Sequence, residues 1–259
     1  MEHDKIAVVT GGASGIGEAC VREFAGAGWR VISADIDTAR GSTVASEIAA
    51  AGGACEFEAL DVSEEPAVDA FAAAVYARHG RVDALVSSAG VLQNAVLVTK
   101  MSLSEFDRIS SVNVRGSLVV SRVLGARMCE AGTGSIIHMC SLTAFRASAQ
   151  VAYAMGKASL KMLTEIMAAE FGPHGVRVNA VAPGYTMTPA MKQRIDRGER
   201  NPAAVIEKSA LRRFVEPSEV AGVVRFLCTA EAAAITGVTL PIDCGWLAYA
   251  AYSANAAQP

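Results

Sequence analysis

A tyrosine and a lysine stand four residues apart in the run Tyr153-Ala154-Met155-Gly156-Lys157. In a helix this spacing places both side chains on one face. A free phenol titrates at about pH 10, and a nearby ammonium group favours its phenolate form. The pair could therefore exchange a proton with an alcohol or a carbonyl group. It could equally form part of a solvated helix surface, because short motifs often arise by chance.

A glycine-rich segment near the start of the chain has the pattern of a dinucleotide-binding loop. The run 10–17, Thr-Gly-Gly-Ala-Ser-Gly-Ile-Gly, follows an apolar β-branched stretch and opens a helical one. Glycines allow a tight turn and a close approach to a phosphate, which the amides and positive dipole end of a helix N-terminus attract. This strand–loop–helix context is what the motif requires. The segment predicts cofactor contacts from Gly11, Ser14, Gly15, Ile16 and Gly17.

Asp35 closes the second apolar run, 18 residues after Gly17. A carboxylate there can accept hydrogen bonds from both hydroxyls of an adenosine ribose and would repel a 2′-phosphate, which favours NAD over NADP. Two alternatives remain open. Asp35 could instead cap the helix that begins near Thr38, for which Asp37 competes, and Arg40 could fold back and offset the charge.

The elements that must position these groups alternate along the chain. Apolar runs predict strands at 6–9, 31–33, 54–59, 82–86, 135–139, 176–181 and 238–242, and stretches with helical spacing lie at about 15–27, 37–51, 64–78, 102–130, 150–171 and 217–229. Strands that are apolar throughout are typical of a parallel sheet covered on both faces. We expect an α/β fold, a Rossmann-type doubly wound parallel sheet of about seven strands, in a single domain over 1–259.

One segment interrupts the alternation. It spans about 187–214 and contains Pro189, Pro202 and a charged stretch at 192–200. Because it follows a strand end, where a functional loop would lie over a site, we expect it to form a substrate lid.

Composition excludes several classes of protein. A hydrophobic fraction of 52% rules out a disordered chain, and a net charge of −3 provides no basic surface for nucleic acid. Apolar runs fall short of the roughly 20 residues of a membrane span. The cysteines form no Cys-x-x-Cys pair and the histidines have no metal-ligand spacing, which predicts reduced thiols and no metal site. The acidic start at 1–5 is unlike a secretory signal, so we expect a cytoplasmic protein.

Taken together, these residues resemble the short-chain dehydrogenase/reductase family, in its compact single-domain branch. The marks occur in order: Thr-Gly-x-x-x-Gly-Ile-Gly at 10–17, Asp61-Val62, Asn113, Ser141 with Tyr153-x-x-x-Lys157, and Pro183-Gly184 with Thr188. The resemblance covers essentially the whole chain, and the order and spacing are far more specific than any single motif. It implies an NAD(P)-dependent enzyme that interconverts a secondary alcohol and its ketone. Gln93 and Asn94 hint at a polyol or sugar substrate.

The resemblance also implies a role for each matching residue. Tyr153 would be the general acid/base, Ser141 would polarise the substrate oxygen, and Lys157 would hold the nicotinamide ribose and lower the tyrosine pKa. Asn113 would order a water that links Lys157 to bulk solvent. The remaining cofactor contacts would be Asp61 and Val62 at the adenine, Ser88, Ala89 and Gly90 on its ribose side, and Pro183, Gly184, Thr186 and Thr188 around the nicotinamide.

A homotetramer is implied as well, with the helices at 102–130 and 150–171 in one interface and the apolar stretch 246–252 packing at another. Three departures from the family pattern occur. Ser87-Ser88 replaces a usual Asn-Asn, Ser141 stands 12 residues before Tyr153, one fewer than is usual, and Cys244 replaces a glycine.

Two other functions stay open. One is a 3-oxoacyl thioester reductase, which Asp35 disfavours because such reductases often use NADPH. The other is a non-catalytic NAD(H)-binding sensor or scaffold, against which the complete set of serine, tyrosine, lysine and asparagine argues.

Overall fold

The computed structural model of the chain describes residues 5–252. The first four and last seven residues of the predicted domain lie outside this range, and with them most of the N-terminal segment used to argue against export. Within the described residues, no helix is long and apolar enough to cross a membrane.

Seven strands of the described chain form one parallel sheet in the order β3-β2-β1-β4-β5-β6-β7. They are β1 Ile6–Thr10, β2 Arg30–Asp35, β3 Ala54–Ala59, β4 Ala84–Ser87, β5 Gly134–Met139, β6 Val176–Pro183 and β7 Thr239–Ile242. The strand order reverses direction between β1 and β4, which leaves a crevice at the carboxyl ends of these strands. The predicted doubly wound α/β fold is confirmed.

Helices connect the strands. They are α1 Gly15–Gly26, α2 Thr38–Ala50, α3 Glu65–His79, α4 Leu103–Ser110, α5 Ser117–Ala131, α6 Val151–Phe171, α7 Pro189–Asp196, α8 Pro202–Ile206, α9 Pro217–Leu227 and α10 Trp246–Tyr252. α7 and α8 both lie within the segment 187–214.

The central strands β1, β4, β5 and β6 are largely buried because each face of the sheet has its own core, whereas the edge strands β3 and β7 are partly exposed. Successive side chains of a strand point to opposite faces. Val9 of β1 therefore packs with residues of α1, α2 and α9, whereas its neighbour Val8 packs with residues of α3, α5 and α6. This two-sided burial fixes where each strand ends, and hence where the loops that carry polar groups begin.

The region predicted as one helix at 102–130 is divided. A π-helical segment, Ser111–Gly116, separates α4 from α5. Gly116 lies against Val62, where a Cβ would come within 2.7 Å of the valine side chain. The wider turn matters because Asn113 lies within it.

Candidate active site

Close backbone contacts hold the loop between β1 and α1. Gly11 has φ 72°, and a Cβ added there would lie 2.7 Å from the backbone nitrogen of Ala89. A Cβ on Gly17 would lie 1.9 Å from the carbonyl oxygen of Gly11. Both positions therefore exclude larger residues. A Cβ on Gly15 would contact only Thr188, at 3.4 Å, so the loop is open on that side.

The N-terminus of α1 faces this opening without a side-chain cap. Ser14 is the N-cap residue, but its hydroxyl makes no capping hydrogen bond. The first amides of a helix have no partner within the helix and attract anions. An uncapped N-terminus beside a loop that excludes a Cβ at Gly11 and Gly17 is a cradle that fits a pyrophosphate.

Asp35 is not a helix cap. Its carboxylate accepts hydrogen bonds from the backbone N–H groups of Ala13 and Asp37, both at 3.0 Å. Asp37 caps α2 by accepting the N–H of Arg40 at 3.0 Å, so the alternative in which Asp35 caps α2 is wrong. The Arg40 guanidinium binds Glu18 at 2.6 Å instead of folding back onto Asp35.

A cavity of about 440 Å³, called here the first cavity, lies at the carboxyl ends of the strands. Every residue for which the sequence predicted a cofactor contact lines it: Gly11, Ser14, Gly15, Ile16, Gly17, Asp35, Asp61, Val62, Ser88, Ala89, Gly90, Tyr153, Lys157, Pro183, Gly184, Thr186 and Thr188. Further lining residues were not predicted, because single apolar residues carry no distinctive motif; among them are Ile36 and Leu60, which follow strands, and Val112 of the π-helical segment.

The predicted reaction centre lies at one end of the first cavity. Tyr153 and Lys157 occupy successive turns near the start of α6, and Ser141 closely follows β5. The Lys157 ammonium donates a hydrogen bond to the carbonyl oxygen of Met139 at 2.6 Å and lies 5.4 Å from the centroid of the Tyr153 ring. The Ser141 hydroxyl accepts the backbone N–H of Thr143 at 3.2 Å, which orients it.

Burial controls the ionisation of this centre. Burial raises the pKa of Tyr153, and a hydrogen bond with the Ser141 side chain opposes that shift only in part. The phenol therefore holds its proton at neutral pH, and the protein by itself does not produce the predicted lowering by Lys157. Burial also lowers the pKa of Lys157 to about 8, so its ammonium charge is held at a cost in free energy.

Asn113 is buried beside this centre but does not line the first cavity. Its amide oxygen accepts the backbone N–H of Val91 at 2.8 Å, and its amide nitrogen donates to the Val91 carbonyl at 2.9 Å. A Cβ on Gly90 would lie 3.2 Å from this amide oxygen and 3.8 Å from the Lys157 nitrogen. The side chain of Asn113 thus fixes the loop after β4, close to Lys157.

A second cavity, of about 460 Å³, adjoins the first, and Ser141 and Tyr153 line both. Its walls come from the loops after β4, β5 and β6, from α7 and the loop that follows it, and from α10. Besides the shared serine and tyrosine, the polar and aromatic residues that line it are Gln93, Asn94, Thr143, Arg146, Ser148, Gln150, Tyr185, Arg194, Glu199, Arg200 and Trp246.

Several of these residues have places that the sequence did not reveal. Gln93 supports α6, because its side-chain oxygen accepts the backbone N–H of Tyr153 at 3.2 Å. Trp246 was expected at a subunit interface, but it is buried within the chain and lines the second cavity. Arg200 lay in the predicted lid without an assigned role. Gln93, Arg200 and Trp246 come from separate segments of the chain, so no local sequence pattern could have linked them.

His138 lies outside both cavities, whereas Cys140 lines the first cavity beside Ser141. The His138 ring is buried between the hydroxyls of Ser121 and Thr164, at 2.9 and 2.8 Å, and burial lowers its pKa to about 4. Burial raises the pKa of the Cys140 thiol to about 11. Among residues 5–252, no group of three or more His, Cys, Asp or Glu side chains could hold a metal ion.

Known proteins share this architecture. The family model described as enoyl-(acyl carrier protein) reductase matches residues 11–247. D-threitol dehydrogenase of Mycolicibacterium smegmatis is 37% identical over 93% of this chain and 92% of its own length. The 3-oxoacyl-[acyl-carrier-protein] reductase FabG of Thermotoga maritima is 33% identical over 93% of this chain and 97% of its own.

Solved structures of other proteins have the same fold. One described as ribose-5-phosphate isomerase from Brucella melitensis 16M has a TM-score of 0.91 and 39% identity over 96% of this chain and 95% of its own. Levodione reductase has a TM-score of 0.90 and 28% identity over 95% and 99%. A variant of actinorhodin polyketide ketoreductase with NADPH has a TM-score of 0.89 and 28% identity over 96% and 99%. With the family model and these relatives spanning nearly all of it, the chain belongs to the short-chain dehydrogenase/reductase family, whose members bind NAD or NADP.

Proposed function

We propose that this protein is an NAD-dependent oxidoreductase that interconverts a secondary alcohol and its ketone. The observation that carries the proposal is the sharing of Ser141 and Tyr153 between the two cavities. An alcohol or carbonyl group in the second cavity can meet both hydroxyls at the edge of the first. Polyols and sugars are candidate substrates, which the similarity to D-threitol dehydrogenase supports.

The first cavity would hold the cofactor, which when bound supplies a hydride donor or acceptor. Gly11, Ser14, Gly15, Ile16 and Gly17 would bind the pyrophosphate. Asp61 and Val62 would contact the adenine, Ser88, Ala89 and Gly90 would line its ribose side, and Pro183, Gly184, Thr186 and Thr188 would orient the nicotinamide carboxamide.

The charge at the end of β2 supports NAD as the cofactor. Among residues 5–252, the hydrogen bonds that Asp35 accepts come from backbone N–H groups, and Arg40 is paired with Glu18. A carboxylate without a counter-ion would repel the 2′-phosphate of NADP and accept hydrogen bonds from ribose hydroxyls. NADP would be the poorer cofactor.

Proton transfer would occur at the Tyr153 hydroxyl. In the reductive direction this phenol donates its proton to the substrate oxygen, while the Ser141 hydroxyl stabilises the charge that develops there. Lys157 would hold the nicotinamide ribose and help to restore the tyrosine proton, together with a water ordered at Asn113. The raised pKa of Tyr153 suits the acid role, because the proton is present before reaction.

The test measures nicotinamide absorbance with NAD and NADP separately, against a panel of secondary alcohols. Tyr153→Phe is compared with wild type and with Tyr76→Phe, which removes a buried hydroxyl that has no hydrogen-bond partner in the described structure. We expect turnover with NAD, a loss of at least about 100-fold in Tyr153→Phe, and no change in Tyr76→Phe. Activity retained in Tyr153→Phe would overturn the proposal.

The same assay separates the alternatives. The similarity to FabG supports a 3-oxoacyl thioester reductase, which would prefer NADPH and acyl thioesters. A sensor would bind NADH without turnover, equally in wild type and Tyr153→Phe. An isomerase, the activity named for the Brucella structure, would convert a sugar without net change in nicotinamide absorbance.

The segment 187–214 is proposed as the substrate lid. It carries α7 and α8, and Met191, Arg194 and Arg200 from it line the second cavity. Limited proteolysis with and without NADH should show cleavage within this segment that the cofactor slows. Equal cleavage in both states would contradict a closing lid.

We also propose a cytoplasmic homotetramer. Met155, Met162 and Ile166 of α6 are each more than half exposed, and Leu118 of α5 is 42% exposed, which is an apolar surface of the kind that subunit interfaces cover. All six cysteines are free, as expected of a reducing compartment. Light scattering should give the tetramer mass for wild type and a smaller mass for Ile166→Asp, and a wild-type monomer would contradict the assembly.

A further inference from the structure

The second cavity carries an excess of positive charge. Three arginines line it, Arg146, Arg194 and Arg200, against one carboxylate, Glu199, and no lysine. The chain as a whole is acidic, with 26 Asp and Glu against 23 Lys and Arg. The local excess of arginine is therefore a property of this cavity and not of the protein surface in general.

One of the three arginines already has partners. Arg194 donates a hydrogen bond to the side-chain oxygen of Asn94 and lies 3.8 Å from the carboxylate of Glu199. Elsewhere in the chain arginines also find carboxylates: Arg22 and Arg40 bind Glu18, and Arg213 binds Glu219.

Arg146 and Arg200 differ from these. Neither makes a hydrogen bond or an ion pair with any residue in the range 5–252. Each lies instead over an aromatic ring, Arg146 at 4.3 Å from the centroid of Trp246 and Arg200 at 5.4 Å from that of Tyr185. The two rings are themselves 5.7 Å apart, so the aromatic pair presents both guanidinium groups to the same cavity.

A stacked guanidinium keeps its edge free for hydrogen bonding. The five N–H donors of arginine lie in the plane of the group, where they match the oxygens of a carboxylate or a phosphate. Arg200 is half-buried and its Nε has no acceptor among the described residues. Desolvated donors of this kind are expensive to leave unpaired, and charge-assisted pairs with an oxyanion are the strongest hydrogen bonds available to them.

Other donors of the cavity lack acceptors as well. The described chain has six buried side-chain polar atoms without a partner, and three of them belong to residues that line this cavity: Thr143 Oγ1, Arg200 Nε and Trp246 Nε1. The arginine and tryptophan nitrogens can only donate. A cavity rich in unpaired donors is suited to a ligand rich in acceptors.

We infer that the second cavity binds an organic anion, whose carboxylate or phosphate group pairs with Arg146 and Arg200 while its hydroxyl-bearing carbon lies at Ser141 and Tyr153. The orientation of the reacting carbon rests on the proposed function, whereas the anion site rests on the arginines alone. The charged group fixes the substrate at the end remote from the reaction, so a neutral alcohol of the same skeleton binds more weakly.

The test compares ligands with one skeleton and different charge. Calorimetry with the NADH complex would use erythritol, erythronate and erythritol 4-phosphate, which are respectively neutral, a carboxylate and a phosphate, with inorganic phosphate as the minimal anion. We expect the anions to bind at least about tenfold more tightly than erythritol. The tighter of the two charged four-carbon ligands identifies the preferred group.

Matched variants locate the effect. Arg146→Met and Arg200→Met each remove one charge and keep most of the packing on the aromatic ring. Arg197→Met removes the same charge from an exposed residue that follows α7 and does not line the cavity. We expect each cavity variant to weaken anion binding about tenfold and to leave erythritol binding unchanged, whereas Arg197→Met alters neither.

Two results would overturn the inference. One is that no anion, inorganic phosphate included, binds more tightly than erythritol. The other is that the cavity variants weaken the binding of erythritol as much as the binding of the anions, which would mean that the arginines only cover the aromatic rings. Because binding is measured without turnover, an inactive protein that still binds anions through these arginines would refute the proposed function and leave the anion site standing.

Discussion

The two cavities are similar in volume and share Ser141 and Tyr153, the proposed reacting residues, but they are built differently. The first is shaped by backbone: Gly11 and Gly17 admit no Cβ, a helix N-terminus is left uncapped, and Asp35 is held by two amides. The second is shaped by side chains that reach in from five separate parts of the chain. A backbone-built site tolerates few residue types and so leaves a motif in the sequence, whereas a side-chain-built site can vary and leaves none.

The largest expected effect tests the backbone-built character of the first cavity. Gly17→Ala places a Cβ 1.9 Å from the Gly11 carbonyl oxygen, so the loop must shift. We expect NADH affinity to fall about 100-fold, about 3 kcal/mol. Gly26→Ala is the matched control in the same helix, because a Cβ there meets no described atom within 4 Å.

Urea unfolding distinguishes a shifted loop from a lost fold. A cooperative transition in Gly17→Ala together with weak NADH binding would place the damage in the loop. Wild-type NADH affinity in Gly17→Ala would contradict the backbone-built character of the first cavity, since this cavity would then tolerate a side chain at its tightest point.

Lys157 lines the first cavity but not the second. Its burial gives a pH-dependent prediction. Because its pKa is about 8 in the fold against an ordinary value of 10.5, the unfolded chain binds more protons between these values, and stability rises with pH across that interval. We expect Lys157→Met to be more stable than wild type by about 1 to 2 kcal/mol at pH 7, after allowing for the lost hydrogen bond to Met139, and to lose turnover.

The measurement is urea unfolding at pH 7 and pH 10. The stability advantage of the variant should shrink at the higher pH, where wild-type Lys157 is neutral in the fold. An advantage that is absent at pH 7, or unchanged at pH 10, would refute burial as the cause of the lowered pKa.

A smaller effect is expected in the second cavity. Gln93→Leu removes the oxygen that accepts the Tyr153 N–H and leaves this amide without a partner at the start of α6. We expect kcat to fall about tenfold with NADH affinity unchanged, because only the position of the tyrosine is disturbed. Gln93→Glu keeps a side-chain acceptor and should recover most of the rate. Equal losses in both variants would indicate a general packing defect.

The smallest effect concerns Cys244, which stands between β7 and α10, the helix that contributes Trp246 to the second cavity. Cys244 has φ 53°, and its carbonyl oxygen accepts hydrogen bonds from the Ser209 hydroxyl and the Leu211 N–H. Cys244→Gly relieves the left-handed strain and should raise stability by about 0.5 to 1 kcal/mol. Cys244→Ala removes the thiol but keeps the strain, so thermal unfolding should show no gain. A gain in both would assign the effect to the thiol.

The same contrast explains what the sequence could predict. The fold followed from the apolar runs, because burial on both faces of the sheet leaves a nearly continuous apolar pattern in the central strands. Local spacing in the sequence was enough to predict that the glycine loop at 10–17 and Asp35 lie at the same site. The π-helical segment at Asn113 could not be predicted, since no local pattern marks it and its Gly116 lies against Val62, which is distant in the sequence.

The substrate side was beyond local patterns for a further reason. Arg200, Trp246 and Gln93 lie far apart in the chain, and only the folded loops bring them together. The burial of Tyr153, which raises its pKa, could not be foreseen either, because proximity to Lys157 is visible as a spacing in the sequence whereas burial is not.

Under the proposed preference for NAD, the pairing of Arg40 with Glu18 constrains how this protein could evolve toward NADP. Replacing Asp35 removes a repulsive charge but supplies no attractive one, because the neighbouring guanidinium is already neutralised. Losing Glu18 alone removes the closer partner of Arg40, which keeps Glu47 at 3.7 Å, while Asp35 still opposes a phosphate. Each change has little value without the other, so the exchange of cofactor is an epistatic pair of mutations, and lineages that acquire only one of them gain no new selectivity.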